Sequence, residues 1–531
     1  MLYYFFSRLV FVVLLIAPGI ADEPIINFAE FDTYVEKAMQ DWLVPGAAVA
    51  IVKDGKVVHL KTYGVSNVNS QKPVTPQTVF PLASLTKGFT AAVLSRLVDE
   101  GKIQWDDKVR KYLPDFKIAD EAAAEAFTVE DLLSHRSGLP GFAADTLVET
   151  GWSAQEIYQI IHKIPLKNPF RSTYDYQNIF PGLAGWIAAK IQEKPLSEVY
   201  EDYLFQPLQL EQASIGKDGL TGGESLWMRL KKKIKSYFSD RASQYCQLNG
   251  KAVEIPDGND GLYCFEASRG MNASITDMAK WVIFQLGNGT HNGRPLLSPS
   301  NIQRMRTSHI NIGVPQGGRL FPKERVKNIA YGMGWFIHDY DRLEILGHMG
   351  GMTGTRSIIA IAPQEKVGIV VLSNAGGMRV SLFPEAIRSK FFDLYLKLPD
   401  QHDWSQELLM EIKASRDKFI QKRTTYRLQN PRAVRDLKTY TGIFENDLYG
   451  QLKVTADNNK LYMNYRKLKV ELTHWNGDNF SFLPNEFSRA YSGTDMGDVI
   501  FNITDLSNKA GSAMGVNLLH EGVNNAFYRK N

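Results

Sequence analysis

The chain has 531 residues, more than one typical domain holds. It contains 44% hydrophobic and 22% charged residues, which is the composition of a globular protein. Its formal net charge of +4 does not indicate nucleic-acid binding. The ten histidines do not cluster at metal-ligand spacing, and no phosphate-binding or dinucleotide-binding glycine motif is visible, so we predict neither a metal nor a cofactor.

Residues 1–21 have the features of a secretory signal peptide. Arg8 precedes the apolar run Leu9–Ala17, and the small residues Gly19 and Ala21 suit cleavage after residue 21. The run is short for a membrane span, which argues against an uncleaved anchor. We therefore predict an exported protein, periplasmic or secreted. A bacterial periplasm is our expectation, and a eukaryotic secretory route stays open.

The next predicted elements lead to a strand-to-helix junction. A helix is predicted over Phe28–Leu43 and a hairpin of strands over Ala47–Val52 and Val57–Tyr63. Residues Thr78–Gly101 then begin extended and become helical at Ser84. In this helix Phe89, Val93 and Leu97 recur at helical spacing and predict an apolar face, and Gly101 is a helix stop signal.

Ser84 is the candidate nucleophile, because Lys87 follows one helical turn later on the same face. A serine hydroxyl needs a base beside it, and a desolvated lysine can lose its proton and act as that base. The helix N-terminus adds backbone N–H groups that favour developing negative charge. The motif recurs at Ser214–Lys217 and Ser415–Lys418, so a capping serine beside a solvated lysine remains the alternative.

Three polar residues follow in the next predicted helical region. His135 lies after a capping box that begins at Thr128, and we interpret it as a structural hydrogen-bonding histidine rather than a catalytic one. Tyr176 and Asn178 lie two residues apart before a helical run, so in an extended loop they point the same way. A tyrosine near a cationic lysine could ionise and act as a base. The alternative is a core tyrosine and a helix cap by Asn178.

Residues 214–265 are the least regular part of the chain. Residues 227–238 have the pattern of a basic amphipathic helix, which could lie on an anionic membrane surface. We favour an ordinary surface helix packed on its own protein. Cys246 and Cys264 are the only cysteines, and in an exported protein we favour one disulfide between them over two separate buried thiols.

The C-terminal part of the first domain is predicted to be a set of antiparallel strands closed by a helix over Ser381–Leu396. The glycine-rich segment 347–354 lies between two of these strands and contains His348 and Gly350, and its glycines would let a ligand approach the backbone. His-x-Gly also occurs at His291 and His520, so this spacing alone is not specific. The predicted strands are Tyr331–His338, Arg342–Gly347, Arg356–Ile361 and Val367–Leu372.

Residues 400–436 are interpreted as a helical linker, and residues 437–531 as a small all-β domain, either a barrel or a sandwich. Short strands separated by turns carry that interpretation. These strands are Tyr440–Phe444, Gln451–Thr455, Lys460–Tyr465, Lys469–His474, Asn479–Leu483 and Val499–Ile503.

The three polar motifs, Ser84-x-x-Lys87, Tyr176-x-Asn178 and His348-x-Gly350, occur in one order and each in a fitting context. In this the chain resembles the serine β-lactamase and penicillin-binding-protein superfamily, and in particular its class C β-lactamase-like branch, which includes esterases and D-amino-acid peptidases. The resemblance covers roughly residues 28–396 and extends to three further segments. These are Val44–Lys56, Phe127–Pro140 and Ala273–Trp281. Residues 437–531 are similar to the lipocalin-like β domain that some members append.

The resemblance implies an α+β fold over residues 22–399, with an antiparallel sheet flanked by helices and a helical subdomain, and with the site between them. Ser84 would form an acyl-enzyme, and Lys87 and Tyr176 would share proton transfer. Asn178 would hydrogen-bond Lys87 or a substrate amide. The backbone N–H groups of Ser84 and Gly351 would form the oxyanion hole, where one donor is typically worth about 2.7–4 kcal/mol.

Two departures from the family pattern bear on the substrate. His348 replaces the lysine of the usual Lys-Thr-Gly motif, and Met349 replaces its hydroxyl residue, which weakens recognition of a substrate carboxylate. We therefore predict a small acyl substrate, an ester or amide that includes D-amino-acid peptides. The alternatives are a weak β-lactamase or cell-wall D-Ala carboxypeptidase, and a non-catalytic binding module on the same fold. No nucleic-acid partner is predicted, and the oligomeric state is not indicated.

Overall fold

The computed structural model describes residues 25–217, 226–227, 229–230, 240–248, 250–255, 263–313, 321–376, 381–400, 402–426, 431–484, 497–503, 513–516 and 526–530. The predicted signal peptide and most of the predicted basic helix 227–238 lie outside these residues. Within them, no helix is both long and apolar enough to cross a bilayer.

A nine-stranded antiparallel sheet forms the centre of the first domain, in the order β11-β12-β13-β14-β15-β16-β1-β2-β3. The small strands β4, β5 and β8 form a second sheet, and two hairpins, β6–β7 and β9–β10, complete the set. The strands are β1 Gly46–Lys53, β2 Lys56–Asn67, β3 Lys72–Pro73, β4 Phe80–Pro81, β5 Ser214–Ile215, β6 Tyr245–Leu248, β7 Lys251–Glu254, β8 Met271–Ala273, β9 Thr290–His291, β10 Arg294–Pro295, β11 Ile310–Gly313, β12 Ile329–Tyr331, β13 Phe336–Tyr340, β14 Leu343–Met352, β15 Thr355–Ala362 and β16 Val367–Ser373.

Helices cover both faces of the central sheet and form a helical subdomain between β4 and β8. In the described residues the α-helices are α1 Phe28–Asp41, α2 Thr86–Asp99, α3 Val109–Tyr112, α4 Glu121–Ala126, α5 Asp145–Thr150, α6 Ala154–Ile160, α7 Ile179–Gln192, α8 Leu196–Tyr200, α9 Glu266–Arg269, α10 Ile275–Leu286, α11 Pro299–Arg306, α12 Phe383–Leu396 and α13 Trp404–Tyr426. Short 3-10 or π turns lie at Ala83–Leu85, Asp131–Leu133, Ile161–Lys163, Glu201–Phe205, Pro363–Glu365 and Leu437–Thr439.

Strand β1 explains why the sheet is covered on both sides. Every residue from Gly46 to Val52 is buried, and side chains along a strand alternate between the two faces of the sheet. One set, which includes Ala48 and Ala50, packs into the core shared with α10 and the helical subdomain. The other set, which includes Val49 and Ile51, packs into the core formed with α1 and α12. The predicted α+β fold is confirmed.

Two details of the sheet differ from the sequence prediction. The predicted strand Tyr331–His338 is two strands, β12 and β13, because Gly334 turns between them at φ +78°. A Cβ on Gly334 would lie 2.7 Å from the backbone of Lys87, so the turn sits directly on α2. The glycine-rich segment predicted between strands is also different, since β14 continues through it to Met352.

Helix α13 covers most of the predicted linker, and its first turns pack on the first domain. Trp404 is buried and donates from Nε1 to Asp393 Oδ2 at 2.7 Å. Trp42 of the first domain donates from Nε1 to Ser405 Oγ at 3.0 Å. Leu408 is also buried, so the N-terminal half of α13 belongs to the core of the first domain.

The C-terminal part is a closed eight-stranded barrel, so the barrel alternative is confirmed over the sandwich. It has two strands more than the sequence pattern indicated, the last two of the set. The strands are β17 Gly442–Asn446, β18 Gly450–Asp457, β19 Lys460–Tyr465, β20 Leu468–Asn476, β21 Asn479–Phe482, β22 Gly497–Asn502, β23 Ala513–Val516 and β24 Ala526–Arg529. Aromatic rings fill its interior, for example Tyr440 against Phe480 and Phe501 at centroid distances of 5.0 and 4.9 Å.

The expected disulfide does not form in this structure, where Cys246 and Cys264 are not joined. Cys246 lies on β6 and pairs in register with Val253 of β7. Cys264 lies just before α9, with its Sγ 3.8 Å from the carbonyl oxygen of Trp152. The two thiols are therefore held by different parts of the fold.

Candidate active site

Ser84 lies in a 3-10 turn, Ala83–Leu85, that connects β4 to α2. The turn is held from several sides: Leu82 N–H donates to Met271 O at 2.8 Å, and Ser357 Oγ donates to Leu82 O at 2.9 Å. Ala83 adopts φ +49°, a left-handed conformation that L-residues seldom adopt. Such strained positions cluster at functional sites. Ser84 itself is partly exposed, as a nucleophile must be.

Lys87 is almost completely buried one turn into the helical segment. Its Nζ lies 3.4 Å from Ser84 Oγ, 2.8 Å from Asn178 Oδ1 and 3.0 Å from the carbonyl oxygen of Ser268. Burial lowers the pKa of Lys87 well below its usual value, the positive charge of Arg269 lowers it further, and the negative charge of Asp145 opposes both. A lysine with this pKa is poised to be the neutral base that Ser84 requires.

Tyr176 lies beside both residues, with Lys87 Nζ 4.6 Å from the centroid of its ring. Burial raises the pKa of Tyr176, and the neighbouring Ser84 hydroxyl opposes that rise. Its buried Oη has no hydrogen-bond partner of normal geometry in the described part of the chain. The phenol is therefore protonated at neutral pH, which favours Lys87 over Tyr176 as the candidate base.

His135 fixes the loop that carries Tyr176 by two hydrogen bonds and a ring contact. Its carbonyl oxygen accepts the N–H of Asp175 at 3.0 Å, and its ring Nδ1 accepts the N–H of Gln177 at 3.1 Å. Its ring packs on Tyr176 at a centroid distance of 4.4 Å. Burial lowers the pKa of His135 well below its usual value, so the ring is neutral and Nδ1 can accept. The predicted structural role of His135 agrees with these bonds, and the structure places it at the site.

Asn178 joins Lys87 to a buried pair of charges. Its Oδ1 accepts from Lys87 and from Ser268 Oγ, the latter at 3.0 Å, and its Nδ2 donates to Asp145 Oδ2 at 2.7 Å. Arg269 Nη1 lies 3.9 Å from the same Asp145 oxygen. Burial raises the pKa of Asp145, and Arg269 and Asn178 oppose the rise. Asn178 therefore fixes the position of Lys87 Nζ and connects it by hydrogen bonds to the Asp145 carboxylate.

His348 is buried and uncharged. Its Nδ1 lies 2.7 Å from the carbonyl oxygen of Met349, and its Nε2 lies 3.0 Å from Tyr331 Oη. Burial lowers the pKa of His348 to about 3, and the positive charge of Lys87 adds to this effect. The hydrogen bonds fit a ring whose Nδ1–H donates to the carbonyl and whose Nε2 accepts from the tyrosine. His348 thus supplies no positive charge at neutral pH.

Gly350 and Gly351 lie where β14 extends past its neighbour, because β13 pairs only with Leu343–Gly347. A Cβ on Gly350 would lie 2.1 Å from Leu82 O, so only glycine lets this strand pass so close to the Ser84 turn. Gly351 pairs in register with Arg356, which forms a buried ion pair with Glu385. This places the strand of the predicted oxyanion hole directly against the candidate nucleophile.

Sequence reasoning found Ser84, Lys87, Tyr176 and Asn178, which the structure brings into one cluster, but it missed three contributors. Asp145 lies 33 residues before Asn178 at the start of a short helix, and no spacing rule joins the two. Ser268 acts through its backbone carbonyl, which any residue type would provide. Arg269 is one arginine among many, and its role depends on the fold.

The comparisons with known proteins decide the family. The family model described as Beta-lactamase matches residues 31–388, more than half of the chain. The chain belongs to the β-lactamase family. A second model, described as a domain of unknown function, DUF3471, matches residues 427–515 and so covers much of the barrel.

Relatives and solved structures agree with this assignment. The chain is 26% identical over 453 residues to the unguisins hydrolase ungD of Aspergillus violaceofuscus, a match that covers 81% of this chain and 76% of that protein. The octameric penicillin-binding protein homologue from Pyrococcus abyssi has a TM-score of 0.58 at 22% identity, covering 92% and 98% of the two chains. The D-amino acid amidase from Ochrobactrum anthropi SV3 has a TM-score of 0.53 at 20% identity, covering 72% and 99%. The predicted superfamily is confirmed, and these two structures share the fold.

Proposed function

We propose that this β-lactamase-family protein is a serine hydrolase that forms an acyl-enzyme on Ser84 from ester or amide substrates. The observation that carries the proposal is the position of Lys87, buried with its Nζ 3.4 Å from Ser84 Oγ. A buried lysine with a lowered pKa can take the serine proton, which is the requirement that an isolated Ser-x-x-Lys motif does not meet.

In the proposed reaction Ser84 Oγ attacks the acyl carbonyl and its proton passes to Lys87 Nζ. When the tetrahedral intermediate collapses, the leaving alcohol or amine takes a proton from Tyr176 Oη, and the Lys87 ammonium returns a proton to Tyr176. Water then attacks the acyl carbon as its proton passes to Lys87 Nζ, and Ser84 leaves with a proton supplied by the Lys87–Tyr176 pair. The backbone N–H groups of Ser84 and Gly351 are proposed to hold the oxyanion.

The absence of a positive charge at His348 favours substrates that need no carboxylate for recognition. A neutral histidine with both ring nitrogens engaged has no cation to offer, and the cation of Arg356, nearby on β15, is paired with Glu385. This supports esters and amides, including D-amino-acid amides and peptides, over efficient β-lactam turnover. The hydrolase and amidase names of the similar proteins agree with this choice.

The decisive experiment is intact-protein mass spectrometry after reaction with a fluorophosphonate. We expect one adduct on the wild type, none on Ser84→Ala, and the full adduct on Ser415→Ala, which removes the serine of another Ser-x-x-Lys sequence. An adduct that survives Ser84→Ala, or no adduct on the wild type, would reject the proposal and favour a binding module.

A chromogenic substrate panel then separates the substrate classes. We expect hydrolysis of p-nitrophenyl esters or of D-aminoacyl p-nitroanilides to exceed hydrolysis of a chromogenic cephalosporin. A lasting penicilloyl adduct on Ser84 would instead favour a penicillin-binding protein with slow deacylation. β-Lactam turnover faster than ester and amide turnover would favour a β-lactamase.

We also propose that the protein is exported, on the basis of residues 1–21. The expected product in an exporting host is a mature chain that begins at Asp22. N-terminal sequencing of the purified protein tests this, and an intact Met1 in the soluble fraction would contradict it.

A further inference from the structure

The C-terminal barrel touches the first domain at the segment that follows α5. Lys467 N–H donates to Thr150 O at 3.3 Å. Trp152 is buried and donates from Nε1 to Tyr465 Oη at 3.0 Å, and Tyr465 Oη donates in turn to Tyr449 O at 2.9 Å. The contact therefore continues into the interior of the barrel.

Arg466 adds a charged contact at the same place. Its guanidinium lies 3.7 Å from the centroid of the Trp152 ring and pairs with Glu156 at 2.9 Å. A cation over tryptophan is the strongest of the cation–aromatic contacts, and the ion pair fixes the orientation of the arginine. Arg466, in the turn between β19 and β20, thus packs on the face of the Trp152 ring, while Tyr465 accepts the hydrogen bond from its ring nitrogen.

The segment that contains α5 and Trp152 leads directly to the candidate active site. Helix α5 has six residues, a length of about 9 Å, and ends at Thr150. Its first residue, Asp145, accepts from Asn178 Nδ2, and Asn178 in turn holds Lys87. Just before α5, Phe142 N–H donates to the carbonyl oxygen of Tyr176 at 2.6 Å.

A second connection leaves from Trp152. Its carbonyl oxygen lies 3.8 Å from Cys264 Sγ, two residues before α9. Helix α9 carries Ser268, whose carbonyl oxygen accepts from Lys87, and Arg269, whose charge acts on Lys87. Of the two oxygens outside its own helical turn that accept from Lys87, the Ser268 carbonyl is therefore reached from Trp152 through the start of α9, and Asn178 Oδ1 is reached through α5 and Asp145.

We propose that the barrel is a positioning element of the active site: Tyr465 and Arg466 hold Trp152, and through α5 and α9 they fix the groups that hold Lys87. The barrel residues do not touch the reacting atoms. This inference deepens the proposed function, and its effect on turnover rests on that function. Small displacements of catalytic groups lower rates strongly because the reacting atoms must be aligned.

The test compares Arg466→Ala with a matched control, Arg435→Ala, in the full chain. Arg435 forms its ion pair with Asp478 within the barrel domain. We expect Arg466→Ala to lower kcat about tenfold with KM little changed, and Arg466→Lys to recover part of the loss. We expect Arg435→Ala to have the wild-type kcat. Thermal unfolding of each variant shows whether the barrel remains folded.

Hydrogen exchange of the same proteins gives a readout that does not require activity. We expect faster exchange at 144–152 and at 176–180 in Arg466→Ala, and wild-type exchange at both in Arg435→Ala. Exchange that changes at 150–156 and stays at the wild-type rate at 176–180 would overturn the inference, as would an unchanged kcat. A wild type that forms no fluorophosphonate adduct rejects the proposed function, while the exchange data still decide whether the barrel holds the site.

Discussion

Asp145 and Arg269 carry opposite charges near Lys87, so substituting them should move the pH profile of kcat/KM in opposite directions. The negative charge of Asp145 stabilises the ammonium form of Lys87, and the positive charge of Arg269, the larger of the two charge effects, destabilises it. Asp145→Asn should therefore lower the pKa of Lys87, and Arg269→Gln should raise it. The amide introduced by Asp145→Asn keeps an oxygen that can accept from Asn178, so the substitution changes the charge more than the contact.

The size of the expected change in the pH profile follows from the distance between the two charges. The side-chain amide of Asn178 lies between them, 2.8 Å from Lys87 Nζ on one side and 2.7 Å from Asp145 Oδ2 on the other. Two unit charges about 7 Å apart interact by about 2 kcal/mol at the effective dielectric constant of a protein site. One pH unit corresponds to about 1.4 kcal/mol, so Asp145→Asn should lower the pKa of Lys87 and move the acid limb of the pH profile by between about one and two pH units.

The assay is the pH dependence of kcat/KM for a p-nitrophenyl ester. Because the proposed base must be neutral, activity is lost as the pH falls through the pKa of Lys87. The acid limb should move to lower pH in Asp145→Asn and to higher pH in Arg269→Gln. Limbs that move in the same direction in both variants, or that stay at the wild-type position in both, would refute the assignment of Lys87 as the base.

Three further predictions follow from the packing of the site. Gly350→Ala should lower acylation of Ser84 more than a hundredfold, because its Cβ would lie 2.1 Å from Leu82 O. Gly88→Ala, whose Cβ would meet Trp335 at 3.5 Å, should keep activity and gain up to about 1 kcal/mol of helix stability. Fluorophosphonate labelling and thermal melts measure both. Glu385→Ala should destabilise the fold by about 3–5 kcal/mol, because it leaves the Arg356 cation buried without its partner; denaturant unfolding measures this, and a loss below about 1 kcal/mol would contradict it. Lys87→Met should abolish turnover and should also raise Tm by about 2–4 °C. The Tm should rise because a lysine whose pKa is lowered in the folded state makes folding less favourable at every pH below its unfolded pKa. A Tm below that of the wild type would contradict this argument.

The sequence was sufficient for the order of the elements and for the side chains whose type reveals their chemistry. Ser84 and Lys87 were predictable because their spacing on a helix and the apolar residues around them are both local features. Asn178 and Tyr176 were predictable as a pair in a loop before a helix. Weaker recognition of a carboxylate at His348 was also expected, although the sequence did not show that Tyr331 and the Met349 carbonyl engage both of its ring nitrogens.

The rest depended on contacts that local patterns do not contain. Gly334 breaks a predicted strand because the turn must sit on the backbone of Lys87, which is far away in sequence. The glycines of β14 were expected to lie between two strands, yet they belong to a strand that passes close to the Ser84 turn. Strands β23 and β24 of the barrel have four residues each, with Gly515 inside β23 and two adjacent aromatic residues, Phe527 and Tyr528, in β24, so neither shows a distinctive alternating pattern.

The turn at Ala83 depends on contacts between distant parts of the chain, so we expect it to form late in folding. Ser357 bonds to Leu82 across 275 residues of sequence, and Met271 bonds to the same residue from a third region. Contacts between such distant segments form slowly because long loops must close first. A chain diluted from denaturant should therefore regain its helices before the Ser84 turn is complete. Under the proposed function, the return of fluorophosphonate labelling would report the completion of that turn.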